Sequence, residues 1–197
     1  LILENCGSGA MRSDYGILGH CHVQSISDQE YYDKMPSILM GSLAQMLPEQ
    51  VSCWCYPCPV LFDDNGKEPH EFRPEWADGE ETVFNMVTAL CATPLLSGRI
   101  DLADRKNLEL IREAMTLYKS RRDFIAEAHP VFPLGMRRIE EEEGFACLGL
   151  KGPGALQLAV WRFAGEESTI WIPLRNGGKD MARVPQEQGA GRRVRQI

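Results

Sequence analysis

The spacing of apolar residues changes period at His129-Pro130, and that change limits the architecture more than any other feature. Before it, short apolar segments alternate with stretches of helical spacing. After it, runs at 145–150, 155–163 and 168–174 are β-rich and separated by Gly-Pro-Gly and Gly-Glu-Glu turns. Alternating strands and helices read as an α/β part with a parallel sheet. The consecutive β runs read as a small antiparallel domain. The boundary falls within 131–144, which includes the acidic run Glu140 to Glu143.

Within the first part, residues 1–3 read as a strand end running into the glycine-bearing loop ENCGSGAMRSDYG, and 19–25 as a second short extended stretch. Ser27-Asp28-Gln29-Glu30 has the S-x-x-E form of a capping box. A helix is expected over 30–47, started afresh near Pro36, with Ile38, Leu39, Leu43 and Met46 on its apolar face. Residues 51–78 read as a long proline-bearing loop with little regular structure. Trp54, Tyr56, Phe62, His70, Phe72 and Trp76 suit such a loop to covering a site. Two further helices are expected, over 82–96 and over 104–127, the second capped by Asp104. The stripe of Leu108, Ile111, Met115, Tyr118 and Ile125 reads as core packing. From Arg175 onward the sequence lacks periodicity, and little order is expected.

Charge and cysteine usage exclude some functions. The formal net charge of -7 over 197 residues disfavours a nucleic-acid partner, and Arg192, Arg193 and Arg195 read as a solvated tail. No apolar run approaches the roughly 20 residues that cross a bilayer, so no membrane partner is expected. The chain opens Leu1-Ile2-Leu3 without a leader and reads as truncated upstream. Its seven cysteines are scattered through core-like sequence. They read as reduced, and the protein as cytoplasmic. Cys55-Tyr56-Pro57-Cys58 is a C-x-x-C, but a redox motif normally opens a helix, and prolines surround this one. A zinc site with Cys21, His20 or His22 matches no standard spacing. Neither a metal nor an organic cofactor is expected. Homo-oligomer formation is left open.

The carboxylates Glu4, Asp14 and Asp28 lie in the two strand-end segments. Retaining glycoside hydrolysis uses two carboxyl groups about 5–5.5 Å apart, one as nucleophile and one as acid and then base. Asp28 sits just beyond an extended stretch and could face a cleft. Spacing alone favours a plainer role, a first-turn acid behind a Ser27 N-cap. Trp54 and Tyr56 could stack on a sugar or anchor a loop. Trp161 and Trp171 alternate with apolar neighbours and read as core of the β domain.

ENCGSGAMRSDYG followed by QSISDQEYY resembles the paired motifs of family 36 glycoside hydrolases, the melibiase-type α-galactosidases of clan D. The family's first motif reads roughly ENCSSGGGRFD, and its second carries a Ser-Asp pair. The resemblance implies that Asp28 is the acid/base, that Cys6 and Gly9 line the sugar site, and that Arg12 and Asp14 answer the motif's Arg-x-Asp, with Ser27 beside them. PEQVSCWCYP, TVFNMVTALCATPLLSGRIDL and LYKSRRDFI also resemble the end of such a barrel, so the likeness covers about residues 1–174. The implied architecture is an α/β fold: the C-terminal part of a (β/α)8 TIM barrel over 1–135, the start of a small antiparallel β-sandwich over 136–175, and a poorly ordered tail over 176–197. The implied activity is retaining hydrolysis of terminal α-linked sugars, with a small oligosaccharide or glycoside as partner.

Gly7 stands where the family usually has Ser, Met11 where Gly is common, and Gln29-Glu30-Tyr31 where Asn-Thr-Asp is frequent. The family's nucleophile is an Asp in a Lys-Trp-Asp context, and that motif is absent from this sequence. Two rival readings are a carbohydrate-binding fragment without chemistry and a Cys/His zinc or redox protein. Double displacement cannot begin without a nucleophile, so the 197-residue chain alone is expected to release no phenol from an aryl α-galactoside. Measurable turnover by the purified chain would overturn that expectation.

Overall fold

A computed structural model gives the fold of residues 1–7, 9–58, 79–174 and 180–185. Four strands form one sheet in sequence order: β1 (Glu4–Asn5), β2 (Val23–Ser25), β3 (Val51–Cys58) and β4 (Thr93–Gly98). All neighbours are parallel, with Asn5 against Gln24, Ser25 against Ser52 and Trp54 against Leu95. A parallel neighbour needs a crossover to return the chain to the same end. The crossovers carry α1 (Tyr15–Leu18), α2 (Met35–Leu43) and α3 (Glu80–Ala89), and α4 (Arg105–Glu127) follows β4.

β3 corrects the expected loop. Val51, Cys53 and Cys55 are buried while Trp54 and Tyr56 are half-buried, the alternation of a strand with two unlike faces. Pro57 has no N–H to give a ladder, and it sits where the register shifts between Cys55 and Cys58. Residues 59–78, including Phe62, His70, Phe72 and Trp76, lie outside the described residues. The helix expected over 82–96 also stops early, at Ala89. Pro94 disfavours helical backbone at Thr93, and β4 ends the strand order, where a missing donor is tolerated.

No helix begins at Ser27. The segment 26–34 has neither helix nor strand, and α2 starts at Met35 with Pro36 in its first turn. The Ser27 hydroxyl accepts instead from Gln29 N at 3.0 Å, a local bond that competes with helix formation. α4 forms as its sequence predicts. Asp104 caps it by accepting from Asn107 N at 2.8 Å.

The second unit holds a three-stranded antiparallel sheet, β5 (His129–Val131), β6 (Phe145–Gly152) and β7 (Ala155–Arg162), and a two-stranded one, β8 (Thr169–Leu174) with β9 (Asp180–Pro185). β5 pairs with β6, so the antiparallel sheet takes in residues just ahead of the expected boundary. β9 supplies a regular strand within the stretch from Arg175 that was expected to have little order. The two units share one core. Leu39, Met40, Leu43 and Cys53 from the first pack with Leu148, Leu150 and Trp161 from the second. Trp161 also donates its indole N–H to the Thr88 hydroxyl of α3 at 3.1 Å, and Gln157 donates to Leu90 O at 3.0 Å.

Trp161 is 2% exposed, as its pattern implies, but Trp171 is 56% exposed and is not core. Trp161→Ala is therefore expected to cost about 3–5 kcal/mol in urea unfolding. Trp171→Ala is expected to change stability by no more than about 0.5 kcal/mol. Equal losses would contradict the shared core.

Candidate active site at the strand ends

Parallel strands deliver their following loops to one edge of the sheet, the usual position of sites in α/β folds. Here the loop after β1 carries Cys6, Gly9, Arg12 and Asp14, and the segment after β2 carries Ser27, Asp28 and Glu30. Asn5 fixes the first loop. Its side-chain amide donates to Arg12 O at 2.8 Å and to Gln24 Oε1 at 2.6 Å, which ties the loop to both strands. Met11 N closes the turn onto Gly7 O at 2.9 Å.

Gly9 and Ala10 both have left-handed backbone, at φ 62° and 70°. Only glycine takes that conformation freely. A β-carbon added at Gly9 would lie 3.4 Å from Asp28 N, 3.5 Å from Asp28 Oδ2 and 3.7 Å from Ser27 Cα. The open side of Gly9 thus faces Ser27 and Asp28. Three of the six expected site residues, Gly9, Ser27 and Asp28, meet at this point.

The other three are placed differently. Cys6 is exposed beside the turn. Arg12 runs its aliphatic stem along Gly7, where an added β-carbon would lie 3.4 Å from Arg12 Cβ. Asp14 caps α1, accepting from Ile17 N at 3.1 Å.

β3 brings Trp54 and Tyr56, already candidates for stacking on a sugar, and β4 adds Ser97, which sequence reasoning missed. Tyr56 and Ser97 are hydrogen-bonded, and Asp28 and Glu30 lie close enough for their charges to act on Tyr56. Burial, then Glu30, then Asp28 push the Tyr56 phenol up, and the Ser97 bond lowers it in part. Burial also raises the Glu30 carboxyl. Trp54 stacks on Tyr56 with ring centroids 6.3 Å apart and planes at 27°, and its indole N–H donates to Ser25 Oγ at 3.0 Å. Glu30 was hidden by the capping-box reading, and Ser97 lies just past the helix expected over 82–96. The alternation in VSCWCYPC was the signal that could have revealed the aromatic face.

The arrangement sets carboxylates near aromatic rings, groups that can hydrogen-bond to and stack on a polyhydroxylated ligand. Among the described residues no group of three His, Cys, Asp or Glu is placed to hold a metal ion. Cys53, Cys55, Cys91 and Cys147 are buried free thiols. Burial pushes Cys147 up to about 12 and also raises Cys91, and a hydrogen bond to Cys53 together with burial raises Cys55. Such thiols are poor nucleophiles, because reactivity belongs to the thiolate. His22 Nδ1 accepts from Leu3 N at 3.1 Å. Among the described residues no helix is long and apolar enough to cross a membrane.

No protein-family model matches the chain, and no curated protein does. Solved structures do. The galactosidase domain of the α-galactosidase-sucrose kinase AgaSK superposes with a TM-score of 0.70 at 17% identity, covering 97% of this chain and 27% of that one. The GH36 α-galactosidase AgaA from Geobacillus stearothermophilus gives 0.69 at 13% identity, covering 94% and 27%. A variant of AgaA in complex with stachyose gives 0.72 at 13% identity, covering 96% and 27%. The chain thus has the fold of a portion of these enzymes and spans about 27% of their length.

Two glycines separate local strain from generic effects. Gly9→Ala is expected to destabilise by about 1–2 kcal/mol through its left-handed backbone. In α2 nothing lies within 4 Å of a β-carbon added at Gly41. Gly41→Ala is expected to stabilise by about 0.5–1 kcal/mol, because alanine favours helix. Urea midpoints of the two variants check both signs.

Proposed function

We propose that this chain is the C-terminal part of a retaining glycoside hydrolase of the GH36 α-galactosidase type, with Asp28 as its acid/base. The observation that carries the reading is the approach of the Gly9 turn to Asp28, whose Oδ2 would lie 3.5 Å from a β-carbon added at Gly9, at the strand ends of a fold shared with α-galactosidases. The four-stranded parallel sheet would be part of a (β/α)8 barrel. Its Ser25, Trp54, Tyr56 and Ser97 face would line the barrel interior. The antiparallel unit would be the start of a β-sandwich.

In this reading the nucleophile is a carboxylate elsewhere in the complete protein. It attacks the anomeric carbon while Asp28 gives its proton to the departing glycosidic oxygen. Asp28, now a carboxylate, takes a proton from water. That water breaks the glycosyl-enzyme bond and frees the nucleophile. Ser27, Gly9 and Cys6 contact the sugar's hydroxyl edge, and Arg12 and Asp14 shape the loop that presents them. The substrate class is an oligosaccharide ending in an α-linked galactose. Structural neighbours in complex with raffinose and with stachyose support that choice. The scattered free cysteines support a cytoplasmic location.

The stacked Trp54–Tyr56 pair favours one second reading, a sugar-binding fragment without chemistry. Leaving-group dependence in the complete gene product separates the two. Asp28→Asn is expected to lower kcat on raffinose by about 10²–10⁴-fold, the usual worth of general acid–base catalysis. The loss is expected to be smaller in the first step on an aryl α-galactoside, whose phenolate needs no proton. Equal losses on both substrates would remove Asp28 from the acid role. Raffinose binding without any hydrolysis would favour the binding fragment.

A further inference from the structure

The segment that carries Asp28 has little structure of its own. Residues 26–34 contain neither helix nor strand. Local bonds shape it, Gln29 N to Ser27 Oγ at 3.0 Å, Tyr31 N to Gln29 Oε1 at 3.0 Å and Lys34 N to Tyr31 O at 3.1 Å. These bonds fix turns inside the segment, and Ile26 at its start anchors it to β3 by donating to Ser52 O at 3.3 Å.

A chain of rings reaches it from the second unit. The Tyr32 ring meets Phe84 of α3 edge to face, with centroids 5.2 Å apart and planes at 74°. Phe84 meets Phe163, just beyond β7, at 5.5 Å and 83°. The Arg137 guanidinium lies 3.6 Å from the centroid of the Phe163 ring. Aromatic pairs favour this edge-to-face geometry, and a desolvated guanidinium over a ring face is strongly attracted to it.

Arg137 is built into its place. It is only 8% exposed. It donates to Glu143 O at 2.9 Å and to Glu141 O, and it pairs with the Glu141 carboxylate at 3.6 Å. The charge of Asp33, inside the Asp28 segment, also acts on it. Next door, Arg138 O accepts from Ser37 Oγ of α2 at 3.4 Å. The connection between β5 and β6 therefore acts on the stretch leading from Asp28 into α2 at two places, Asp33 through charge and Ser37 through a hydrogen bond.

We propose that Arg137 and Phe163 are positioning residues for Asp28, and that the second unit holds the Asp28 segment in place through the Tyr32–Phe84–Phe163–Arg137 ladder. The value of this to catalysis rests on the acid/base reading of Asp28. The mechanical link itself does not, and hydrogen exchange on the 197-residue chain tests the link alone. In Phe163→Leu, amides of 27–33 are expected to exchange at least tenfold faster than in the parent chain. Those of β6 and α4 are expected to stay within twofold. Tyr32→Leu attacks the ladder from its other end, keeps the second unit intact, and is expected to loosen the same amides. Tyr32→Phe keeps the ring and is expected to exchange like the parent. Unchanged protection of 27–33 in folded Tyr32→Leu or Phe163→Leu would overturn the proposal. Acceleration spread evenly over the molecule, or loosening by Tyr32→Phe, would overturn it too.

Discussion

The parallel pairing of β1 with β2, Asn5 against Gln24, is the constraint on which the rest depends. It obliges two consecutive strands to point the same way, so the loops that leave them must lie side by side. The Asn5 amide reinforces the pairing by bonding across to Gln24 and forward to Arg12 O. With the loop tethered at both points, left-handed backbone at Gly9 and Ala10 turns it against Asp28. A one-residue slip in the pairing would reverse the faces of β1 and move the loop away from its partner. The site is therefore a consequence of strand register, with glycine supplying the left-handed backbone that turns the loop toward Asp28.

How far this could be read in advance depended on whether local signals agreed with tertiary context. α4 was legible because its apolar stripe, its length and its Asp104 cap all point the same way. β6 and β7 were legible because tight glycine turns bound them. β3 and β4 were not, because Pro57 and Pro94 signal a break. Those prolines are tolerated only at a bulge and at the end of the strand order, positions that sequence does not disclose. The capping box at Ser27 failed for the converse reason. A sound local pattern was overridden because the chain there must pass the strand ends before α2 can start at Met35. Of the site, the two motifs were legible through resemblance. Glu30 and Ser97 were not, because their meaning depends on which neighbours the sheet brings to them.

The two units are less independent than their different periods suggest. Trp161 fills the space between them, and its N–H finds the Thr88 hydroxyl rather than being left unsatisfied. Burying a donor with its acceptor in place avoids the penalty of an orphaned polar group and fixes the relative setting of α3 and β7. Leu148 and Leu150 join Leu39 and Met40 in the same cluster, so the β unit completes the core of the α/β unit. A 197-residue chain built this way is expected to melt as one body.

The buried thiols carry a consequence that belongs to the history of each molecule. Cys53, Cys55, Cys91 and Cys147 are shut away once the sheet and its helices have closed. In the nascent chain the same sulfurs are open to solvent, with ordinary acidity and a ready thiolate fraction. Oxidation and folding therefore run as a race. A molecule that closes first is sealed against disulfide exchange. One that oxidises first carries crosslinks the native core has no room for. Folding of such a chain is therefore more sensitive to an oxidant than the finished fold is.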